Sequence, residues 1–369
     1  MSPDFPAVGA GALGIEDYVL RVGDLLERFL EGQSEFVYAI SPDADELVAA
    51  IRDLARQGKR LRARFAYLGF LGGGGDPAAN DIVRLGASLE LFQAAALIHD
   101  DLIDRSDTRR GQPSVHRRFE ALHRRARWAR DSARFGEAAA VLTGDLCLSF
   151  SEQLFGTLAA PASTRRVFDA MRAQVMAGQY LDVLEESAGP SHGPEAALAR
   201  ARTVVRFKSA KYSIENPLLL GGTLAGISDD LAERYSAFAL PLGEAFQLRD
   251  DVLGVFGNPE TTGKPAGDDL KEGKRTELVA HALRLAAPED SDFIQTRLGA
   301  EDLRDDEIRR MCSILEDSGA LAQTEQSIDR LSERGFAALE DLQVGTPSVR
   351  AEVVESLRAL GLQATRRKA

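Results

Sequence analysis

An apolar helical run rich in Ala and Leu, Ile82 to Leu97, passes straight into Ile98-His99-Asp100-Asp101-Leu102-Ile103-Asp104. Arg105-Ser106-Asp107-Thr108-Arg109-Arg110-Gly111-Gln112-Pro113 follows at once. On a helix, positions four apart share a face. Asp100 and Asp104 therefore stand one turn apart, roughly 6 Å along the axis, with Asp101 beside them. Like charges at that spacing repel and weaken a helix, so an apolar helix ending this way needs something cationic to neutralise it. Clustered carboxylate oxygens suit a hard cation, Mg²⁺ above all. Arginines grip phosphate oxygens bidentately. Carboxylates for a metal beside guanidiniums for phosphate describe a site for a metal-bound phosphate or diphosphate. Taken alone, such a cluster is more often a solvated helix end; the adjoining arginines and a second cluster downstream reverse that balance.

Strand signals are nearly absent, while Ala, Leu, Arg and Glu dominate. The pattern predicts helices over 15–39, 44–57, 61–71, 80–104, 133–156, 164–187, 194–208, 212–225, 228–256, 274–286, 304–318, 320–341 and 347–361. Ser41-Pro42-Asp43, Gly72–Gly75 with Asp76-Pro77, and Gly189-Pro190 are the breakers between them. The Arg-rich segment Arg117 to Arg134 reads as a solvated connection. No long Ser/Gly linker divides the chain, so one all-α domain over 15–369 is expected, after a loose Gly/Ala/Pro-rich tail over 1–14 that lacks the basic start of a signal peptide.

Hydrophobic residues make up 44% of the 369, enough for a substantial core. The net charge of −12 argues against a nucleic-acid partner and suits a protein that collects divalent cations. Cys147 and Cys312 are the only cysteines and lie far apart, so no disulfide framework is expected and a reducing cytoplasm is the natural compartment. No run of about 18 apolar residues occurs, and no transmembrane span is expected.

The second cluster lies on the helix from Tyr235 to Phe256, in Gln247-Leu248-Arg249-Asp250-Asp251-Val252-Leu253-Gly254. Gln247 and Asp250 share a face. Beyond it come Gly263-Lys264-Pro265-Ala266-Gly267-Asp268-Asp269-Leu270 and Gly273-Lys274-Arg275-Thr276. Glycines around a lysine bring a cation and backbone N–H groups to phosphate, but Pro265 after Lys264 excludes a P-loop. Gly58-Lys59-Arg60-Leu61-Arg62 opens another helix with three cations. Phe207-Lys208-Ser209-Ala210-Lys211 places a lysine pair in an apolar region. The five histidines show no metal-ligand spacing. The chemistry must come from metal and electrostatics.

These motifs, in this order, resemble the trans-isoprenyl diphosphate synthases, the polyprenyl synthetase family, over about residues 15–345, and most of all the bacterial geranylgeranyl diphosphate synthases. The resemblance implies a bundle of antiparallel helices around a deep central cavity, paired as a homodimer. It implies that Asp100 and Asp104, with Asp101 in support, bind Mg²⁺ bridging to an allylic diphosphate. Asp250 would hold a further ion on the other side, about three ions per site. Arg109, Lys208 with Ser209, Gln247, Lys264 and Lys274 would contact that diphosphate. Lys59, Arg62, Gln93 and Arg110 would hold isopentenyl diphosphate. The catalytic set is then Asp100, Asp101, Asp104, Arg109, Lys208, Asp250 and Lys264. One position departs from the family: Gly254 stands where many members carry a third Asp, and Asp268 or Asp269 is available to compensate.

Below Asp100 on its helix, Ala96 and Ala95 leave room for a growing chain, and Phe92 lies one turn deeper. A floor at Phe92 favours the C20 product, geranylgeranyl diphosphate; if Phe92 is plain core, longer products follow. The competing readings are a farnesyl product, a non-catalytic subunit that regulates a partner, and a class I terpene cyclase.

Overall fold

The near absence of strand patterning is realised as helix almost throughout. The computed structural model describes residues 14–188, 194–257, 267–346 and 349–365. Among these, the only strands are Thr108–Arg109 (β1) and Gln112–Pro113 (β2), an antiparallel pair. The chain's internal contacts group it into two compact units, Met1–Leu71 with Gly75–Ala160 and Gly72–Gly74 with Pro161–Ala369.

In the first unit, α1 (Ile15–Ile40), α2 (Asp45–Ala55), α5 (Val115–Ala126) and α6 (Ser132–Phe155) surround α4 (Asn80–Ile103), and α3 (Leu61–Gly72) leads into it. Helix α4 buries residues on nearly every side, Ile82, Leu85, Leu89, Phe92 and Ile98 among them. By length and mean hydropathy (1.2) it is the one described helix able to cross a membrane, but 67% of that window is buried inside the protein. It is the core helix of its unit. A reciprocal pair ties it to α6: Ser88 Oγ donates to the Ser151 carbonyl and Ser151 Oγ to that of Ser88, both at 2.8 Å. Tyr18 of α1 stacks on Tyr67 and donates to the Ile82 carbonyl at 3.2 Å. Gly86 makes that approach possible, because a Cβ there would lie 2.2 Å from the Tyr18 hydroxyl.

Over Arg117–Arg134 the structure has an exposed stretch from Arg124 to Asp131, as expected of a solvated connection, but the part before it belongs to helix α5. Val115, His116, Phe119, Glu120 and His123 form its buried face. Their helical spacing is masked in the sequence by the intervening arginines. Two of these, Arg117 and Arg124, bond the buried Glu120.

The second unit contains α7 (Ala162–Ala188), α8 (Pro194–Val204), α9 (Asn216–Leu224), α10 (Asp229–Phe256), α11 (Asp268–Glu272), α12 (Glu277–Leu285), α13 (Pro288–Arg297), α14 (Asp305–Asp317), α15 (Ala320–Gly345) and α16 (Ala351–Thr365). The expected break between 208 and 212 is instead a π-helical stretch, Val205–Glu215, that joins α8 to α9 without interruption. Helix α10 starts at Ser228, whose side chain accepts from the Leu231 N–H, and packs on the π stretch and α15.

Glu277 opens α12 inside this unit with a 2%-exposed side chain. It accepts from Arg202 at 2.9 and 3.1 Å, from Ser327 at 2.8 Å and pairs with His281 at 3.2 Å. Burial alone would raise its pKa, but the His281, Arg202 and Ser327 bonds outweigh it and hold the carboxyl down at about 2. A depressed carboxyl contributes stability that is present above its ordinary value of 4.5 and lost as pH falls through the folded value. Glu277→Gln is expected to cost about 2 kcal/mol at neutral pH, discounted for the half-exposed Arg202. In urea melts the gap from wild type should stay flat above pH 5 and close toward pH 2; a gap independent of pH would contradict this.

Candidate active site

The first acidic motif sits at the C-terminus of α4. The Asp104 N–H bonds the Asp100 carbonyl at 2.8 Å and Ser106 N–H bonds that of Asp101 at 2.9 Å, closing the helix. Arg110 (φ 54°) and Gly111 (φ 74°) then form the two-residue loop between Arg109 and Gln112. Positive φ at both central residues is the type I′ hairpin turn. The Arg-Arg-Gly-Gln-Pro motif is thus a turn that folds Arg109 back onto the end of α4. There its Nε donates to Asp101 Oδ1 at 2.7 Å, its Nη2 to the same oxygen, and Nη2 lies 3.5 Å from Asp100 Oδ2. Burial works against the Arg109 charge, but the Asp101 bond and the charges of Asp101, Asp100 and Asp104 hold its pKa above the ordinary value. Asp101, 2% exposed, is the buried counter-ion of Arg109, whereas Asp100 and Asp104 are partly exposed.

A cationic group lies in the same unit. Arg110 Nη1 donates to the carbonyls of Leu54 (3.2 Å) and Gln57 (2.6 Å). Its guanidinium lies over Gly58, where a Cβ would come 3.0 Å from Nη2. Arg60 donates to Glu90 at 3.2 Å and to the Ala55 carbonyl at 3.0 Å. Burial raises the Glu90 pKa, against the opposing pull of Arg60, Arg62 and Arg110. The Arg110 pKa is lowered by burial and by Arg109, Arg62 and Arg60, with Glu90 opposing. Three guanidiniums, Arg60, Arg62 and Arg110, thus act on the one carboxylate of Glu90. Lys59 is exposed and Gln93 is partly exposed, one turn after Glu90 on α4. Glu90 and Arg60 received no role from the sequence; the signal was a lone carboxylate within the apolar 82–97 run. Phe92 is 2% exposed and Ala95 fully buried, whereas Ala96 keeps a partly exposed position one turn below Asp100.

The second acidic motif lies on α10. The π stretch is gripped between α7 and α10 at two glycines. A Cβ on Gly178 would lie 2.4 Å from the Lys208 nitrogen, and one on Gly243 2.7 Å from the Ala210 carbonyl oxygen. This close approach sets Lys208 Nζ 2.5 Å from Asp182 Oδ2. It also brings Ser209 Oγ to donate to Gln247 Oε1. Gln247 in turn donates to Asp251 Oδ1 at 2.7 Å. Burial first, then the charge of Asp269, pushes the Asp251 carboxyl up to about 8; the Gln247 bond opposes, Asp250 adds to the rise and Lys274 opposes. Lys274 Nζ sits 3.4 Å from Asp269 and 2.5 Å from Glu272. Arg249, inside the motif, is engaged with Glu325 of α15 at 2.5 and 2.6 Å and is a packing residue. Lys264 lies outside the described residues.

Both motifs present oxygen donors that suit Mg²⁺. Among the described residues no three carboxylate, His or Cys side chains converge closely enough to hold a metal by themselves. Mg²⁺ commonly takes one or two carboxylates plus waters and substrate phosphates. A cavity of ≈ 180 Å³ in the second unit is lined by none of the expected site residues. Its polar wall is the Arg202–Glu277 and Arg206–Glu244 ion pairs.

Comparison with known proteins gives concordant findings. A profile of the family described as Polyprenyl synthetase matches residues 44–315. Geranylfarnesyl diphosphate synthase of Aeropyrum pernix is 30% identical over 320 residues, 85% of this chain and 91% of that one. The (2E,6E)-farnesyl diphosphate synthase of Mycobacterium bovis is 30% identical over 309 residues, 77% of this chain and 78% of that one. Among solved structures, a geranylgeranyl pyrophosphate synthase from Corynebacterium glutamicum, crystallised with isoprenyl diphosphate and magnesium, superposes with a TM-score of 0.88. It is 38% identical, and the match covers 96% of this chain and 99% of that one.

Proposed function

The chain belongs to the polyprenyl synthetase family, and from that premise we propose that it condenses isopentenyl diphosphate with an allylic diphosphate to give chiefly geranylgeranyl diphosphate. Trans-polyprenyl diphosphate synthase activity on the all-α isoprenoid synthase fold follows from the family and the structural neighbour. The family match runs through both compact units, which supports reading 15–369 as one synthase domain. By the same reading the enzyme is a cytoplasmic homodimer.

In this reading Asp100, Asp104 and Asp250 hold the magnesium of the allylic diphosphate. When bound, the metal neutralises negative charge on that diphosphate as it leaves. Arg109, Lys208, Gln247, Lys274 and Lys264 bind the same diphosphate, with Ser209 fixing Gln247. They stabilise the charge that develops as the allylic C–O bond breaks and the electron pair departs with the leaving group. Arg109 and Lys208 are held by Asp101 and Asp182, so their charges are positioned before substrate arrives. Arg110, Arg62, Lys59 and Gln93 orient isopentenyl diphosphate so that its double bond meets the allylic cation and a C–C bond forms. Apolar walls around α4 exclude water from the cation. A proton then leaves the new chain, and the departed diphosphate is the base within reach of this chemistry.

The observation that carries the reading is the clustering of Arg60, Arg62 and Arg110 around Glu90, in the same unit as the first acidic motif. A terpene cyclase has no second diphosphate to hold and needs no such group. Labelled isopentenyl diphosphate supplied with dimethylallyl, geranyl and farnesyl diphosphates in turn tests it, the label being expected in longer allylic diphosphates.

The C20 assignment rests on Phe92 beneath Ala95 and Ala96. Phe92→Ala is expected to shift the main product to C25 or longer, read by chromatography of the dephosphorylated chains. An unchanged product length would remove Phe92 as the floor.

A further inference from the structure

Between residues 124 and 134 the chain places five arginines and a single aspartate around Trp128, its only tryptophan. We propose that this loop, between α5 and α6, is a docking surface for an anionic lipid bilayer. The inference goes beyond the synthase reading and does not depend on it.

The loop is fixed by its own bonds. Helix α5 ends in a Schellman motif: the Arg127 N–H bonds the Arg124 carbonyl at 3.2 Å, and the Trp128 N–H bonds that of His123 at 3.3 Å. The left-handed residue of that motif is Arg127, at φ 51° and ψ 39°, and Arg130 follows at φ 77°. Glycine is the usual residue there, and a residue with a side chain is strained. Strain of this kind gathers at binding sites. His123 Nε2 donates to the Ala129 carbonyl at 3.0 Å, and Asp131 Oδ1 accepts from the Arg134 N–H at 2.7 Å to start α6. The Trp128 ring stands edge-on to Phe135 and His123, with centroids 5.2 and 5.8 Å away. It is nevertheless 48% exposed, so the indole is held from behind and open in front.

Arg124 bonds Glu120 and Ser132. Arg125, Arg127, Arg130 and Arg134 are exposed and make no side-chain hydrogen bond or ion pair among the described residues. Four guanidiniums around one rigid indole fit lipid headgroups. Guanidiniums take the phosphates, and an indole settles at the headgroup level beside them. A nucleic acid fits less well, because the chain carries a net charge of −12 and the loop offers one exposed ring where a strand needs a row of them. That net charge does not forbid a bilayer. Screening beyond about 8 Å leaves only the groups at the surface to act, so the arginine-rich tip is the part that faces the lipid.

The test uses the full chain without substrates, and vesicles of phosphatidylcholine with or without phosphatidylglycerol. Binding is read by co-sedimentation and by tryptophan emission, which reports this loop alone. Phosphatidylglycerol vesicles are expected to sediment the protein and shift its emission to the blue. Phosphatidylcholine alone should do neither, and salt at about 1 M, where screening acts within about 3 Å, should release the protein. Each guanidinium near an anionic leaflet favours binding about fivefold. A variant carrying Arg125→Gln, Arg127→Gly, Arg130→Gly and Arg134→Gln is therefore expected to bind about 100-fold more weakly or worse. Glycine keeps the left-handed backbone, so its melting midpoint and its turnover of soluble substrates should match wild type. Equal binding to both vesicles, binding without an emission shift, or wild-type binding by the variant would each overturn the proposal. Tighter binding of single-stranded RNA or of polyglutamate than of the vesicles would overturn it as well. Because no substrate is present, each of these failures leaves the synthase reading standing.

Discussion

Replacing Asp100 or Asp250 by alanine is expected to lower kcat about 10³-fold and to leave the thermal midpoint near that of wild type. Both carboxylates are partly exposed, so their removal opens no cavity. On the proposed reading, what is lost is a place for the metal that would stabilise the leaving diphosphate, an interaction made chiefly in the transition state. Such a loss appears in kcat more than in KM. Asp101 behaves differently. It is buried and is the main counter-ion of Arg109, so Asp101→Ala leaves that guanidinium with only the 3.5 Å contact to Asp100. That variant should lose stability as well as activity. Steady-state rates and melting curves on the three variants separate the two roles. Asp100→Ala and Asp250→Ala with wild-type turnover would contradict the assignment of the metal.

The next largest effect is expected at the glycines that grip the π stretch. At Gly178 an added Cβ would meet the Lys208 nitrogen at 2.4 Å and the Phe207 carbonyl carbon at 2.7 Å. At Gly243 it would meet Ala210 backbone atoms at 2.7–3.0 Å. These neighbours are backbone, which cannot swing aside as a flexible side chain would. Gly178→Ala and Gly243→Ala should therefore cost about 2–3 kcal/mol each. They should also move Lys208 and Ser209 away from Asp182 and Gln247, and a misplacement of about 1 Å can cost about 10²-fold in rate. Urea midpoints and kcat measured where the variants remain folded check both parts. Full stability with full activity would show that the π stretch has slack.

Much of this was legible because it is local. Asp100 and Asp104 share a face by spacing alone, and Gln247 and Asp250 do the same on α10. Arg109 next to an acidic helix end follows from the short separation, although the I′ turn that aims it needed the φ values of Arg110 and Gly111. What could not be read depends on residues far apart in sequence. Glu90 looks like an isolated flaw in an apolar run until Arg60 is placed on it from the turn before α3. That the Asp269 carboxylate packs where a Cβ on Gly254 would stand likewise joins residues 15 apart in sequence. Helix α5 was hidden because arginines bonding Glu120 dominate its composition, while the residues that bury it are few. The π stretch was read as a break because Lys208, Ser209 and Lys211 interrupt the apolar pattern, and its continuity is imposed by packing at Gly178 and Gly243.

On the proposed function this chain alone joins a five-carbon unit to an allylic diphosphate. Purified protein given farnesyl diphosphate, isopentenyl diphosphate and Mg²⁺ should consume the two diphosphates together and release a longer allylic diphosphate with inorganic diphosphate, and should stop when Mg²⁺ is chelated. No consumption of isopentenyl diphosphate, or release of a hydrocarbon or alcohol in its absence, would contradict the account.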